Sequence, residues 1–93
     1  MESYFEWDNK KANLNLSKHQ VSFDEAQTVF DDRLSATFPD PDHSINELRE
    51  ITIGWSIKNR LLLVFTTQRA NKIRIISARV ASKNEKRKFE GSI

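Results

Sequence analysis

The stretch Ile73-Arg74-Ile75-Ile76-Ser77-Ala78-Arg79 runs directly into a basic segment that ends near Glu90. Its β-branched residues are typical of a strand, yet the run carries two arginines. A strand tolerates a guanidinium only where the group reaches water, a partner or a ligand. The basic segment that follows has the composition of a helix. A strand end, a helix N-terminus and several cations therefore converge here, which is an arrangement that can hold a phosphate.

The two arginines of this strand are expected to point to opposite faces of a sheet. Side chains alternate along a regular strand, so Arg74 shares a face with Ile76 and Ala78, whereas Arg79 shares a face with Ser77. One arginine would lie on the open face, and the other would leave at the strand end or pair with a carboxylate. The candidate carboxylates are Glu47, Glu50 and Glu85. Alternatively, the arginines form a phosphate-binding surface together with cations from the turns.

The residues before this strand predict an antiparallel meander. Residues 50–57 alternate between apolar and polar side chains, whereas residues 61–67 are apolar on both faces over their first half and form the central strand. Asn59 tolerates the left-handed conformation that a hairpin turn requires. The predicted order is strand 50–57, turn 58–59, strand 61–67, turn 68–72, strand 73–80 and a final helix opened by a capping box of Ser82 and Glu85.

Two helices precede the sheet. Asp8 is the expected N-cap of a helix over residues 9–18. Ser22 and Glu25 form a capping box, in which each side chain bonds the other residue's amide, and this box opens a helix over residues 23–30. A brief edge strand is expected at residues 4–7 and a short strand at 34–38. The sequence thus predicts one α+β domain over residues 1–93, with two N-terminal helices packed on an antiparallel β-sheet and a C-terminal helix.

The charge is divided unevenly between the two halves of the chain. Residues 1–50 carry five Lys/Arg against eleven Asp/Glu, a net charge of −6, whereas residues 51–93 carry ten against two, a net charge of +8. A half this basic attracts polyanions, although ordinary solvated surface cations would give the same count.

Composition excludes several classes of protein. The chain has no cysteine, which excludes thiolate catalysis, Cys-ligated zinc and disulfides. The histidines and acids are few or scattered, so neither a metal nor another cofactor is expected. The longest apolar run, Leu61 to Phe65, is too short to span a membrane, and no signal peptide is recognised. A cytoplasmic protein without a membrane partner is expected.

Several motifs together resemble the BrnT family of bacterial type II toxins. They occur in the family's order over almost the whole chain. The matching residues are Phe5-Glu6-Trp7-Asp8, Lys11, Asn15, Lys18-His19, Val21 to Ala26, His43-Ser44, Glu47, Arg49, Ile53-Gly54, Thr67, Arg69, Ile73 to Arg79, and Glu85. The resemblance implies a RelE-like ribonuclease fold. It also implies a BrnA-like antitoxin, a ribbon-helix-helix protein that neutralises the toxin and binds operator DNA, so that the toxin meets DNA only through its partner.

The resemblance turns the phosphate-binding hypothesis into one about RNA. Arginines would stabilise a phosphorane, and His43 is a candidate for proton transfer because histidine titrates near neutrality, although a histidine in such a loop is commonly just solvent-exposed. The candidate catalytic residues are His43, Arg49, Arg69 and Arg79. The candidate RNA-binding residues are Arg60, Lys72, Arg74, Lys83 and Arg87.

Two functions stay open at this point. The first is metal-independent endoribonuclease activity on mRNA, free or on the ribosome, by attack of the ribose 2′-hydroxyl on the adjacent phosphate. The second is a non-catalytic nucleic-acid or protein-binding module. The chain also departs from the family pattern twice: Gln20 replaces a usual Gly, and Phe89 stands where Tyr is common. Phe89 is expected to belong to the core.

Overall fold

Residues Leu61–Arg69 form the central strand of a five-stranded sheet in the computed structural model, which describes residues 4–42 and 47–91. The elements in chain order are β1 (Phe5–Glu6), α1 (Asn9–His19), α2 (Phe23–Gln27) with a 3-10 turn (Thr28–Asp31), β2 (Ala36–Pro39), β3 (Arg49–Trp55), β4 (Leu61–Arg69), β5 (Lys72–Val80) and α3 (Lys83–Gly91). The strand order across the sheet is β1-β5-β4-β3-β2. The α+β class and the meander of β3, β4 and β5 are confirmed.

The sheet is mixed, so the prediction of a purely antiparallel sheet is wrong. Strand β1 pairs in parallel with β5, with Phe5 beside Ile73 and Glu6 beside Arg74. A backbone bond of 2.8 Å from the Ile73 amide to the Tyr4 carbonyl supports this pairing. The parallel pairing brings together two strands that are far apart in the sequence. No local sequence pattern predicts a pairing over such a distance.

Helix caps form largely where the sequence places them. Asp8 accepts from the Lys10 amide at 2.7 Å, and Ser82 and Glu85 bond each other's amides at 2.8 and 3.2 Å. The capping box predicted for Ser22 and Glu25 forms only one of its two hydrogen bonds. Ser22 accepts from the Glu25 amide at 3.0 Å, but the Glu25 carboxylate turns away to Ser56 and Arg60.

The helices cover the two faces of the sheet, which we name the α1 face and the α3 face. The core on the α1 face consists of Val21, Phe23, Ala26, Val29, Leu62, Val64, Ile75 and Ala78. The core on the α3 face consists of Ile53, Leu61, Leu63 and Phe89. The prediction that Phe89 belongs to the core is therefore confirmed. No helix in the described ranges is long and apolar enough to cross a membrane.

Element ends differ from the predictions where turns replace regular structure. The second helix ends at Gln27 and continues as a 3-10 turn rather than as α-helix to residue 30. Strand β3 ends at Trp55, and Ile57 lies exposed in the following loop. Asn59 has the left-handed backbone that was expected of it, with φ of 59°.

Strand β5 contains a β-bulge. Phe65 pairs with Ser77, but the next residue, Thr66, pairs with Ile75, so Ile76 is an extra residue on β5. Compared with a regular strand, one extra residue moves the side chains that follow it to the opposite face of the sheet.

The bulge places Arg74 and Arg79 on the same face, and the prediction that they point to opposite faces is wrong. Arg74 pairs with Thr67 and Arg79 pairs with Leu63, and these two partners lie four residues apart on β4. Paired residues share a face, and residues at even spacing along a strand share one too. Both arginines therefore lie on the α3 face.

Candidate functional site

A row of polar side chains crosses the α3 face at the end of the strands that α3 leaves open. Arg49 on β3, Thr67 on β4 and Arg74 on β5 are direct cross-strand partners, and Glu6 on β1 follows next to Arg74. We call these four residues the arginine row. Neighbouring strands are about 5 Å apart, so two long guanidinium side chains flank the short Thr67 side chain. The two arginines thus lie on either side of the central strand, and guanidiniums can bind the oxygens of a phosphate group.

Carboxylates accompany both arginines of the row. Arg49 Nε donates to Glu47 Oε1 at 3.1 Å, and Arg74 Nε lies 3.2 Å from Glu6 Oε2. The Arg74 N–H is not aligned with that oxygen, and the atom is buried without a hydrogen-bond acceptor. Both arginine side chains are about 30% exposed, at 31% and 28%. The row thus presents two partly exposed guanidiniums, each beside a carboxylate, and leaves the buried Nε of Arg74 without an acceptor.

Arg79 lies on the same face, beyond Phe65. Its two terminal nitrogens each donate to Glu85 at 2.8 Å, and its guanidinium carbon lies 5.9 Å from the centre of the Phe65 ring. Hydrogen bonds from Arg79, followed by that from the Ser82 amide, lower the pKa of Glu85 to about 2, against the opposing effect of burial. The hydrogen bonds with Glu85 raise the pKa of Arg79. Arg79 is therefore a fixed charge beside a half-buried aromatic ring.

Arg69 and Lys72 extend the positive surface past the arginine row. They are cross-strand partners at the tip of the β4–β5 hairpin, and the alternation of β4 places them on the α3 face. Arg69 is exposed, and neither residue has an acidic partner within residues 4–42 and 47–91. These two side chains therefore add uncompensated positive charge.

The chain is similar to known proteins in sequence and in fold. Residues 7–85 match the family model described as the ribonuclease toxin, BrnT, of type II toxin-antitoxin systems. The chain belongs to the BrnT family. Its fold is similar to that of the Brucella abortus ribonuclease toxin BrnT, whose crystal structure matches with a TM-score of 0.65 at 22% identity, covering 83% of this chain and 94% of that one. The comparison with curated proteins finds no match.

All four arginines that match the BrnT pattern lie on the α3 face. They are Arg49, Arg69, Arg74 and Arg79. Lys72 lies with them, whereas Lys83 and Arg87 are exposed on α3. His43 lies outside the described residues. Within those residues, no three His, Cys, Asp or Glu side chains form a group that could hold a metal ion.

Arg60 is not brought to this face. Its guanidinium donates to both oxygens of Glu25, through Nε to Oε2 at 3.0 Å and through Nη2 to Oε1, and it also bonds the Gln20 carbonyl at 2.9 Å. Glu25 is almost fully buried and accepts a further bond from Ser56 at 2.7 Å. The hydrogen bonds from Arg60 lower the pKa of Glu25 and raise that of Arg60 itself. This ion pair joins the turn between α1 and α2 to the β3–β4 loop.

Sequence reasoning did not select Glu6, Thr67 or Phe65 as site residues, although they stand on the arginine-bearing face. Glu6 belongs to a strand of two residues, and only its register with Arg74 shows where it points. Phe65 reads as core from its apolar neighbours. A signal was available for Glu6 and Thr67, because both are among the residues that resemble the BrnT pattern.

Asn15 holds the strand immediately after the bulge. Its side chain is buried on α1, donates to the carbonyls of Ala78 and Val21 at 2.9 Å each, and accepts from the Ala78 amide at 3.1 Å. The Ser77 hydroxyl donates to it as well, at 3.3 Å. The amide thus satisfies backbone groups at an edge that β1 is too short to cover. Asn15 therefore fixes the segment that carries Arg79.

Proposed function

We propose that this chain is a RelE-like endoribonuclease toxin that cleaves mRNA in the cytoplasm without a metal ion. The observation that carries the proposal is the arginine row, in which guanidinium side chains on β3 and β5 flank Thr67 of the central strand β4. Arginine binds phosphate oxygens through planar, paired donors, so this geometry suits one phosphodiester. The family is described as ribonuclease toxins, and this description supports the same function.

The proposed reaction is an attack of the ribose 2′-hydroxyl on the adjacent phosphorus. Arg49 and Arg74 would donate to the non-bridging oxygens and stabilise the charge that develops on the phosphorane. Arg69 and Lys72 would hold the next phosphate at the open end of the face. At the other end, Phe65 with Arg79 offers an aromatic and cationic surface of the kind that binds single-stranded nucleic acid. His43 remains a candidate for proton transfer.

Purified protein and a single-stranded RNA test this function. The wild type should produce new RNA ends, whereas Arg49→Ala and Arg74→Ala should lower the cleavage rate by about 100-fold or more, since each removes a donor to the transition state. Arg33→Ala is the matched control, because Arg33 is exposed and lies outside the candidate face. Folded wild-type protein that leaves RNA and ribosome-bound mRNA intact would refute the proposal.

The same assay separates the enzyme from a binding module. A binding module would bind the RNA without producing new 5′ ends. The arginine variants would then lose RNA binding rather than cleavage activity. Growth provides a second measurement. Expression without a partner should arrest growth, and Arg79→Ala should relieve the arrest while the protein stays folded.

We also propose a BrnA-like ribbon-helix-helix antitoxin as the partner. A type II toxin-antitoxin system implies an antitoxin partner, and an acidic or apolar segment of that partner would suit the positive α3 face. The gene next to this one is the place to look for a small ribbon-helix-helix protein. Co-expression should restore growth, and failure of that protein to bind the purified toxin would argue against the pairing.

A further inference from the structure

Three carboxylates each lie beside an arginine of the α3 face. They are Glu6 with Arg74, Glu47 with Arg49 and Glu85 with Arg79. A ribonuclease that uses a 2′-hydroxyl as nucleophile needs a group that accepts its proton, and a carboxylate can do so. The hydrogen bonds of the three groups distinguish them.

Glu85 and Glu47 are already engaged as acceptors. Glu85 accepts from both terminal nitrogens of Arg79 and from the Ser82 amide, and its pKa of about 2 makes it a poor base. Glu47 accepts from Arg49 Nε at 3.1 Å. The two oxygens of Glu85 therefore have few lone pairs left for a substrate proton, whereas Glu47 is held through one oxygen only.

Glu6 differs because its arginine attracts it without bonding it. Its Oε2 lies 3.2 Å from Arg74 Nε, yet the N–H is misaligned and finds no acceptor. Among the described residues, Glu6 accepts no hydrogen bond, and its side chain is 33% exposed. Its lone pairs are therefore available to a substrate proton.

The position of Glu6 is fixed by the backbone. Strand β1 consists of Phe5 and Glu6, and Phe5 packs against the core of the α1 face, with its ring 4.9 Å from that of Phe30. Because neighbouring residues of a strand point to opposite faces, anchoring Phe5 directs Glu6 to the α3 face. The parallel register then places it next to Arg74.

We propose that Glu6 is the general base of the reaction, an inference that rests on the proposed ribonuclease function. The Glu6 carboxylate takes the proton of the 2′-hydroxyl while O2′ forms a bond to phosphorus. The bond from phosphorus to O5′ breaks, and O5′ takes a proton from water. The hydroxide that remains recovers the proton from Glu6, so the products are a 2′,3′-cyclic phosphate and a 5′-hydroxyl with no net change in protons. The partly exposed guanidinium of Arg74 donates to the phosphate.

The kinetics of Glu6→Gln test the assignment, because the two roles open to Glu6 predict opposite results. As a base, its loss should lower kcat by about 100-fold or more while KM stays the same or falls, since Arg74 keeps its charge. A residue that only neutralises Arg74 would instead leave kcat unchanged and tighten RNA binding. Glu90→Gln makes the same charge change on exposed α3 and is the matched control.

A second variant guards against a simple loss of structure. Glu6→Ala should be inactive, and added formate should restore part of kcat because the small carboxylate can occupy the vacated space. Wild-type kcat in Glu6→Gln, a larger loss from Glu47→Gln, or no rescue by formate would each overturn the assignment while the wild type still cleaves RNA. A folded wild type that does not cleave RNA would overturn the proposed function itself, and this inference with it.

Discussion

Arg74 and Arg79 lie on the same face of β5 although an odd number of positions separates them. The extra residue Ile76 produces this arrangement, because it shifts the pairing with β4 between Phe65 and Thr66. A regular strand would send one arginine into the core of the α1 face, where a buried guanidinium would be costly. The bulge therefore determines how many arginines the open face displays.

Asn15 is expected to be essential for the bulged edge of β5. In Asn15→Ala the amide and carbonyl of Ala78 lose their buried partner, and the free energy of unfolding should fall by about 3 kcal/mol. Urea denaturation measures this change. Asn13→Ala is the control on the same helix; Asn13 is exposed, and its loss should cost under about 0.5 kcal/mol. Equal effects of the two substitutions would contradict the role given to Asn15.

Arg60 should contribute to stability and not to RNA cleavage. Arg60→Ala leaves the buried Glu25 carboxylate without its ion-pair partner, so the free energy of unfolding should fall by about 3 kcal/mol. Cleavage per folded molecule should not change, since Arg60 lies away from the arginine row. Lys58→Ala, in the same loop but exposed, should leave stability within about 0.5 kcal/mol of wild type. A cleavage defect at full folding would return Arg60 to the candidate site.

The order of the elements could be predicted because local chemistry determines it. Asp8, Ser22 and Ser82 begin helices through bonds to amides within the next three residues, which is a range that a sequence displays. The grouping of arginines on one face could not be predicted. It depends on Ile76, whose extra position is visible only in the register of two strands, and on β1, whose partner lies almost seventy residues away.

Arg60 is a residue for which the sequence predicted a role in the site but the structure shows a structural ion pair. A cation at a strand end in a basic half of the chain is typical of a phosphate contact, and the sequence predicted that role. Nothing in the sequence indicated that Glu25 would bind Arg60, because Glu25 was expected to complete the capping box with Ser22. The structure assigns the carboxylate to a partner 35 residues away instead. Long-range ion pairs of this kind leave no local signature.

The Arg79–Glu85 pair should make stability depend on acidic pH. The pKa of Glu85 falls from an ordinary 4.5 to about 2 on folding, so the pair's contribution is complete above pH 4.5 and is lost as pH falls towards 2. Both side chains are about one-third exposed, and screening reduces the contribution to about 1–2 kcal/mol. Wild type should therefore exceed Glu85→Gln by this amount at neutral pH, and the gap should close by about pH 2. Denaturation at a series of pH values measures it, and a constant gap would refute the expectation.

Gly54 occupies a place where a side chain does not fit. A Cβ atom there would lie 2.8 Å from Ser35 Cβ and 2.9 Å from Val29 Cγ1, so Gly54→Ala should lower the free energy of unfolding by about 2 kcal/mol. Gly91→Ala is the matched control. Nothing lies within 4 Å of its new Cβ, and alanine favours the helix, so the change should be neutral or slightly stabilising. Similar thermal shifts for the two variants would show that packing at Gly54 adapts.

Gln20 marks the C-terminal end of α1 in a left-handed conformation, with φ of 55° and ψ of 33°. Gly adopts this conformation without the steric cost that a Cβ brings, and Gln20→Gly should raise the free energy of unfolding by about 1 kcal/mol. The gain should survive the loss of the exposed bond from Gln20 Nε2 to the Ser17 carbonyl. Gln20→Ala is the decisive control, because it removes the same bond but keeps the Cβ. Chemical denaturation should show stabilisation by Gly alone, and equal stabilisation by Ala would exclude backbone strain as its cause.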